Sequence, residues 1–302
     1  MKIFVVVVSY NSKNDLPDCL NAIDKIRSNN LYLKTIVVDN ASSDNSVVVA
    51  RQFGNVEIIE SRENVGFAGG NNLGIKKAID SGADWILVLN PDTKVSPNII
   101  NEFLKVQNKD KLAGILAPKI YFWPGFEFYK KKYNKNDYGK VIWYAGGIID
   151  WKNILASHRG IDEVDNGQYD VISETDFASG AAMFINANVF EKAGFFDERY
   201  FLYFDDVEFC QRAKLSGFRV VFVPKAIVWH KWAQSTGGGS DIQDYFITRN
   251  RLLFGLNYSP VRTKIALFRQ SISFLFKERS KRLAVIDFLR ANFGKGSLDQ
   301  LK

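Results

Sequence analysis

Cysteine is almost absent from this chain: Cys19 and Cys210 are the only two. Two thiols so far apart build neither a disulfide framework nor a cysteine-based zinc site; they read as buried thiols in a reducing compartment. Long hydrophobic runs are missing as well. No stretch approaches the roughly 20 apolar residues that span a bilayer, and the N-terminal run Ile3–Val8 is too short for a secretory signal core. The body also lacks an excess of either charge. Residues 1–260 hold 30 basic and 30 acidic side chains, whereas residues 261–302 hold 10 and 3, which accounts for the whole net charge of +7. A folded module with a basic face for nucleic acid is therefore not expected.

What is present is a core-forming composition, 46% hydrophobic and 14% aromatic, enough for one large domain or two small ones. The first part alternates strand and helix. Strands are expected at Ile3–Val8, Thr35–Asp39, Val56–Glu60 and Asp84–Leu89, with helices at Asn14–Arg27, Asp44–Phe53, Gly69–Asp80 and Pro97–Val106. That rhythm predicts an α/β fold with a parallel sheet. From Pro118 it breaks, and Tyr121–Lys140 is dense in aromatics and lysines. Strands are expected again at Ala181–Ile185, Arg219–Val223 and Ala226–Trp229, with a helix at Asp206–Ser216. A Gly/Ser-rich loop is expected over Gln234–Ser240, then helices at Asp241–Gly255 and Val261–Asn292. The reading divides the chain into a nucleotide-binding half (1–117), an acceptor half (118–257) and a basic amphipathic tail (258–302).

Ligands of open α/β sheets bind beyond the carboxyl ends of the strands. Three polar clusters stand at such ends: Ser9-Tyr10-Asn11, the run from Asp39 to Asp44, and Asn90-Pro91-Asp92-Thr93. Any one of them also reads as turn or N-cap chemistry; three at one sheet edge point to a ligand. Tyr10 and Asp39 suit the base and ribose of a nucleotide. Asp92 suits a divalent cation that neutralises a diphosphate, since Mg²⁺ and Mn²⁺ favour carboxylate oxygen. The glycine-rich stretch from Asn64 to Gly74 is not a P-loop, because Ile75 stands where the lysine belongs. It reads either as a close backbone approach to a ligand or as a structural turn. In Phe204-Asp205-Asp206-Val207-Glu208, the spacing of Asp205 and Glu208 is that of a capping box, which would make Asp205 an N-cap. Asp206, not needed for that cap, suits a general base held ionised by the helix dipole. His230 ends a strand and reads as either a metal ligand or a structural histidine.

Together these motifs make the chain similar to glycosyltransferase family 2, the inverting enzymes of GT-A fold, and above all to its rhamnosyltransferase-like members of polysaccharide biosynthesis. The pieces carrying the resemblance are Val-Ser-Tyr-Asn at 8–11, Val-Asp-Asn-Ala-Ser-Ser-Asp at 38–44, Asn-Val-Gly-Phe-Ala-Gly-Gly-Asn-Asn at 64–72 and Leu-Asn-Pro-Asp at 89–92. Trp-Tyr-Ala-Gly-Gly at 143–147, Ser-Gly-Ala-Ala at 179–182, the run 196–208, Trp-His at 229–230 and Thr-Arg-Asn-Arg at 248–251 complete it.

The resemblance implies a GT-A fold with a mostly parallel mixed sheet flanked by helices. It assigns Ser9, Tyr10, Asn11, Asp39, Asn64, Gly66, Asn71, Asn90 and Arg249 to the nucleotide sugar, Arg249 at its diphosphate. Asp92 and His230 would hold Mg²⁺ or Mn²⁺, Asn90 replacing the first acid of the family's Asp-x-Asp motif. Asp206 would be the base with Asp205 beside it, and Ser179 and Gly180 would lie near the acceptor. It further implies a nucleotide-diphospho-sugar donor, with dTDP-L-rhamnose first and UDP-hexose or UDP-galactofuranose behind it, and a saccharide acceptor on a polyprenyl diphosphate. A glycoside hydrolase would need two acids flanking one bond and leaves the nucleotide-like strand ends unused; a non-catalytic sugar- or nucleotide-binding module leaves Asp206 without a purpose.

The tail interleaves Ile265, Phe268, Ile272 and Phe276 with Arg262, Lys264, Arg269, Lys277 and Arg279. Such helices lie at membrane interfaces, so the expectation is a cytoplasmic protein held peripherally on the anionic inner face of the cell membrane, with Lys130-Lys131-Lys132 as a second contact. The alternative is that these helices pack on the body or on a second copy of the chain.

Overall fold

The computed structural model describes residues 1–27, 31–129, 132–231 and 240–301. Most of the expected Gln234–Ser240 loop and the pair Lys130-Lys131 lie outside the described residues.

The first half runs β1 (Lys2–Ser9), α1 (Leu16–Ile23), β2 (Tyr32–Asp39), α2 (Ser46–Ala50), β3 (Val56–Glu60), α3 (Gly66–Asp80), β4 (Trp85–Leu89), β5 (Thr93–Val95), α4 (Ile99–Lys109) and β6 (Ala113–Phe122). The second half runs β7 (Ile142–Tyr144), β8 (Gly147–Asp150), β9 (Leu155–His158), β10 (Ser173–Glu174), β11 (Ala182–Asn186), α5 (Ala187–Ala193), α6 (Asp205–Leu215), β12 (Arg219–His230), α7 (Asp241–Tyr258), α8 (Val261–Phe274) and α9 (Arg279–Leu289).

Ten strands form one mixed sheet in the order β10-β12-β6-β11-β4-β1-β2-β3, with β5 on β12 and β7 on β6. β1 through β4 pair in parallel, whereas β11 runs antiparallel to both β4 and β6. β1 is central because Ile3 to Val7 are covered on both faces and fully buried. Each such side chain contributes about 1.5–3 kcal/mol of burial. The chain first steps outward from β1 to β3, then returns through α3 to β4 on the other side of β1. That reversal is a topological switch point, which places the ligand crevice at the carboxyl ends of β1 and β4.

The expected boundary between the halves, 117/118, falls inside β6, so both halves share one sheet and one core. The long tail helix is two helices, α8 and α9. α9 packs on α7, burying Ala284, Val285 and Asp287. α8 buries only Leu267 and Ser271.

Candidate active site

Strand register assembles the site. Ser9 is opposite Asp39 across β1 and β2, and Val7 is opposite Leu89 across β1 and β4. Leu89 is in turn opposite Ala182, which sets Ser179-Gly180-Ala181 beside Asn90. Thr93 is opposite His230, so Asp92, one residue earlier, meets the last residue of β12. A cavity of about 360 Å³ opens there, and Asn90, Asp92, Ser179, Gly180, Asp205, Asp206 and His230 all line it.

Buried polar atoms normally find partners. Among the described residues eight buried side-chain polar atoms have none, and six belong to Ser9, Asp39, Asn71, Asp92, Asp205 and His230. Unpartnered polar atoms at the strand-end residues Ser9, Asp39, Asp92 and His230 suit a polar ligand. Asp39 spends Oδ2 on the amide of Ser42 and keeps Oδ1 free. Asn71 donates Nδ2 to the carbonyl of Phe67 and keeps Oδ1 free. Tyr10, the residue after β1, is 40% exposed.

His230 Nε2 lies 3.2 Å from Asp92 Oδ1. The two are close enough for an ion pair but not aligned as a hydrogen bond, since that oxygen has no hydrogen-bond partner. Among the described residues no group of three or more His, Cys, Asp or Glu side chains converges as a metal cluster.

Asp206 Oδ2 accepts from the amide of Gly180 at 2.8 Å and Oδ1 from the amide of Val207 at 2.8 Å. Burial raises the proton affinity of both Asp205 and Asp206. In Asp205 the neighbouring Asp206 raises it further, whereas in Asp206 the Gly180 and Val207 amides oppose the rise. The two amides thus favour the charged form of Asp206, a support that Asp205 Oδ2 lacks. Asp205 is not the N-cap that the sequence suggests. It is the first residue of α6, the cap is Phe204 in the left-handed region, and Glu208 is engaged by Arg212 and the Tyr258 hydroxyl.

Four expected nucleotide residues make contacts within the protein. Arg249 is fully buried, and its guanidinium donates to Asn250 Oδ1, the Tyr245 hydroxyl and the carbonyls of Gly294, Arg199 and Tyr200. No donor is left for a diphosphate, since a guanidinium has five N–H groups. Asn11 Oδ1 accepts from the amide and hydroxyl of Ser43, tying the β1 loop to the β2 loop. Asn64 Oδ1 accepts from Asn40 Nδ2 and the Gly66 amide. Gly66 has φ 76°, and a Cβ there would lie 2.4 Å from the Phe201 carbonyl oxygen. α3 starts at Gly66 rather than Gly69, and Gly70 and Gly74 bring it onto Val8 and Val6 of β1. The glycines let protein approach protein, the structural reading of that stretch.

Other residues escaped the sequence reading. Trp143 and His158 line the cavity, and the Trp143 ring meets His158 and His230 edge-on at 4.4 and 4.6 Å between centroids. His158 is held neutral, its pKa pushed down to about 4 by burial, with Nδ1 3.2 Å from the Trp143 carbonyl. One signal was available: histidine occurs twice, and both stand at strand ends. Phe201, Tyr203 and Phe204 adopt φ of 62°, 66° and 66° just before the carboxylate pair, each costing on the order of 1–3 kcal/mol. Both cysteines are buried free thiols with pKa pushed up to about 12, so neither is a nucleophile at neutral pH.

The family described as "Glycosyl transferase family 2" matches residues 4–171, more than half of the chain. The chain belongs to glycosyl transferase family 2. It is 26% identical over 254 residues to the low-salt glycan biosynthesis hexosyltransferase Agl10 of Haloferax volcanii, covering 82% of this chain and 74% of that one. It is 27% identical over 214 residues to the N-acetylglucosaminyl-diphospho-decaprenol L-rhamnosyltransferase of Mycobacterium tuberculosis, covering 68% of each. Its fold is similar to that of the mannosyltransferase PcManGT of Pyrobaculum calidifontis, solved with GDP-Man and Mn²⁺: TM-score 0.57, 14% identity, 96% of this chain and 74% of that one. The protein is thus a glycosyltransferase of GT-A fold.

Proposed function

We propose that this glycosyltransferase moves a sugar from a nucleotide-diphospho-sugar to a saccharide hydroxyl with inversion, using Asp206 as base and a divalent cation held by Asp92 and His230. The observation that carries the reading is the shared cavity, which holds Asp206 and the Asp92–His230 pair together. The donor is dTDP-L-rhamnose before a UDP-hexose or UDP-galactofuranose, and the acceptor is a saccharide on a polyprenyl diphosphate. The Mycobacterium tuberculosis relative, whose name specifies an L-rhamnosyl donor and a diphospho-decaprenol acceptor, supports both choices.

Asp92 and His230 fit a cation. Asp92 Oδ1 is buried without a hydrogen-bond partner 3.2 Å from His230 Nε2, so a carboxylate and an imidazole donor would be available together to one ion. Mg²⁺ and Mn²⁺ sites commonly use one or two protein ligands, with phosphates and water supplying the rest. Bound there, the cation would stabilise charge developing on the departing diphosphate.

The chain supplies the rest. Asp206, its carboxylate fixed by the Gly180 and Val207 amides, takes the proton of the acceptor hydroxyl. That oxygen bonds to the anomeric carbon as the bond to the nucleoside diphosphate breaks on the opposite face. A raised pKa makes Asp206 a stronger base near neutral pH, and burial supplies that rise. Ser9, Tyr10, Asp39 and Asn71 face the nucleotide, and Ser179 and Gly180 the acceptor. The test is a nucleotide-sugar panel with Mn²⁺ and saccharide acceptors, with NMR of the product's new linkage. Inverted configuration supports the reading; a retained configuration, or no consumption of any donor, refutes it.

On this reading the tail would bring the enzyme to an anionic membrane surface on the cytoplasmic side. No described helix is long and apolar enough to cross a membrane. α8 instead turns Val261, Ile265, Phe268 and Ile272 outward at helical spacing, followed by Phe276 at 87% exposure. Arg262, Arg269, Lys277 and Arg279 are exposed beside them. Each basic group near an anionic leaflet contributes about 1 kcal/mol.

A further inference from the structure

The segment leading into the carboxylate pair is held from outside itself. Asn250 is fully buried in α7, and its Nδ2 lies 2.8 Å from three carbonyl oxygens, those of Tyr200, Leu202 and Tyr203. Arg249 adds two contacts from Nη2, to the carbonyls of Arg199 and Tyr200, at 3.1 Å each. From the other side, the Phe67 amide of α3 donates to the Phe201 carbonyl at 2.7 Å. These are the carbonyls of a stretch with left-handed backbone at Phe201, Tyr203 and Phe204. Such a backbone persists only where its surroundings over-determine it, and it ends directly at Asp205 and Asp206.

A further layer stands behind Arg249. Its Nη1 donates to the Gly294 carbonyl at 2.8 Å and to the Tyr245 hydroxyl at 3.3 Å. That hydroxyl donates to Asp287 of α9, which also accepts from the Ser297 amide at 2.8 Å. A continuous polar chain thus runs from the C-terminal segment through α7 to the residues preceding the base.

We propose that Asn250 is a positioning residue for the Asp205–Asp206 pair, with Arg249, Tyr245 and Asp287 as its support, so that the C-terminal segment is part of the catalytic apparatus. Asn250 touches no substrate in this account. It fixes where Asp206 points, and the Gly180–Asp206 hydrogen bond reports whether Asp206 is in place. The inference rests on Asp206 being the base, but its structural half can be tested without that reading.

The test is site-resolved amide hydrogen exchange on the full chain for wild type, Asn250→Ala and the milder Tyr245→Phe, with donor turnover on dTDP-L-rhamnose and dTDP binding in Mn²⁺ measured alongside. In Asn250→Ala, exchange at Gly180, Val207 and Phe67 should accelerate about tenfold or more while β1 amides keep their protection. The rate should fall about 10–100-fold, as a misplaced catalytic group implies, with donor KM and dTDP affinity little changed. Tyr245→Phe should show the same pattern, weaker. Equal acceleration throughout the sheet, as from a residue that only stabilises the fold, overturns the proposal, as does unchanged exchange at Gly180. Asp206→Asn, run in parallel, separates the two claims. If it turns donor over like wild type, the base assignment fails, while the exchange pattern still decides whether Asn250 holds the segment.

Discussion

The amide of Gly180 donates to Asp206 Oδ2 at 2.8 Å, joining the turn before β11 to the first turn of α6. This bond, with the Val207 amide on the other oxygen, distinguishes Asp206 from Asp205, whose Oδ2 is buried without a partner. Asp206→Asn should therefore lower turnover by about 10²–10⁴-fold, the usual worth of a general base, and leave dTDP affinity near that of wild type. Steady-state kinetics with calorimetric binding checks both. A live Asp206→Asn and a dead Asp205→Asn would exchange the two roles.

Asp205→Asn should stabilise the protein at pH 7. Burial and Asp206 raise the Asp205 pKa in the folded chain, whereas in the unfolded chain it is about 3.9. Above that pH the unfolded state releases a proton that the folded state retains, so stability falls as pH rises towards the folded pKa. Asparagine removes this dependence. The Tm difference between variant and wild type should be small near pH 4 and grow on the way to pH 7. A lower Tm for Asp205→Asn at pH 7 would contradict the raised pKa of Asp205.

His158 has the opposite sense. Its folded pKa, about 4, lies below the value of about 6.5 expected unfolded. Stability should be fully present above pH 6.5 and decline as pH falls towards 4, because the unfolded chain takes up the proton first. His158→Gln should flatten that part of the Tm profile. An unchanged profile contradicts a neutral, half-buried His158.

Removal of the cation should reproduce loss of its ligands. EDTA, Asp92→Asn and His230→Ala should each abolish the Mn²⁺-dependent part of dTDP binding and leave the metal-free part alone. Identical Mn²⁺-dependent affinity in His230→Ala and wild type would return His230 to a structural role against Trp143. For the tail, Ile265→Asp with Phe276→Asp should abolish sedimentation with anionic vesicles at low salt without lowering Tm, since both side chains are about half exposed or more. Binding equal to wild type removes α8 from the membrane. A chain ending at Asn257 should lose stability, because Arg249 and Tyr245 would lose Gly294 and Asp287.

The nucleotide half of the fold was readable because two-sided burial writes β1 and β4 as unbroken apolar runs, each followed by polar residues at the ligand edge. β6 was not readable because Pro118 interrupts it. The strand tolerates that proline opposite Val223, where β12 has its own Pro224 and the register shifts before Ile227. Asp206, Asp92 and His230 were legible from residue type and position at element ends. Arg249 was read as a diphosphate contact because three of its five partners are backbone carbonyls far away in sequence, and a carbonyl leaves no mark in a sequence. The Asp205 cap failed for a related reason: the left-handed Phe204 that displaces it follows a stretch whose carbonyls are bonded by Asn250 and Phe67 from other elements, contacts that leave no local mark in the sequence.

The most direct measurement is nucleoside diphosphate release from dTDP-L-rhamnose, UDP-hexoses and UDP-galactofuranose by wild type and Asp206→Asn, with Mn²⁺ and with EDTA. Wild type with Mn²⁺ should release diphosphate from one donor, fastest from dTDP-L-rhamnose. EDTA should abolish this release, and Asp206→Asn should lower it by about 10²–10⁴-fold. Full release in EDTA, equal release by Asp206→Asn, or no release from any donor would refute metal-dependent transfer with Asp206 as base.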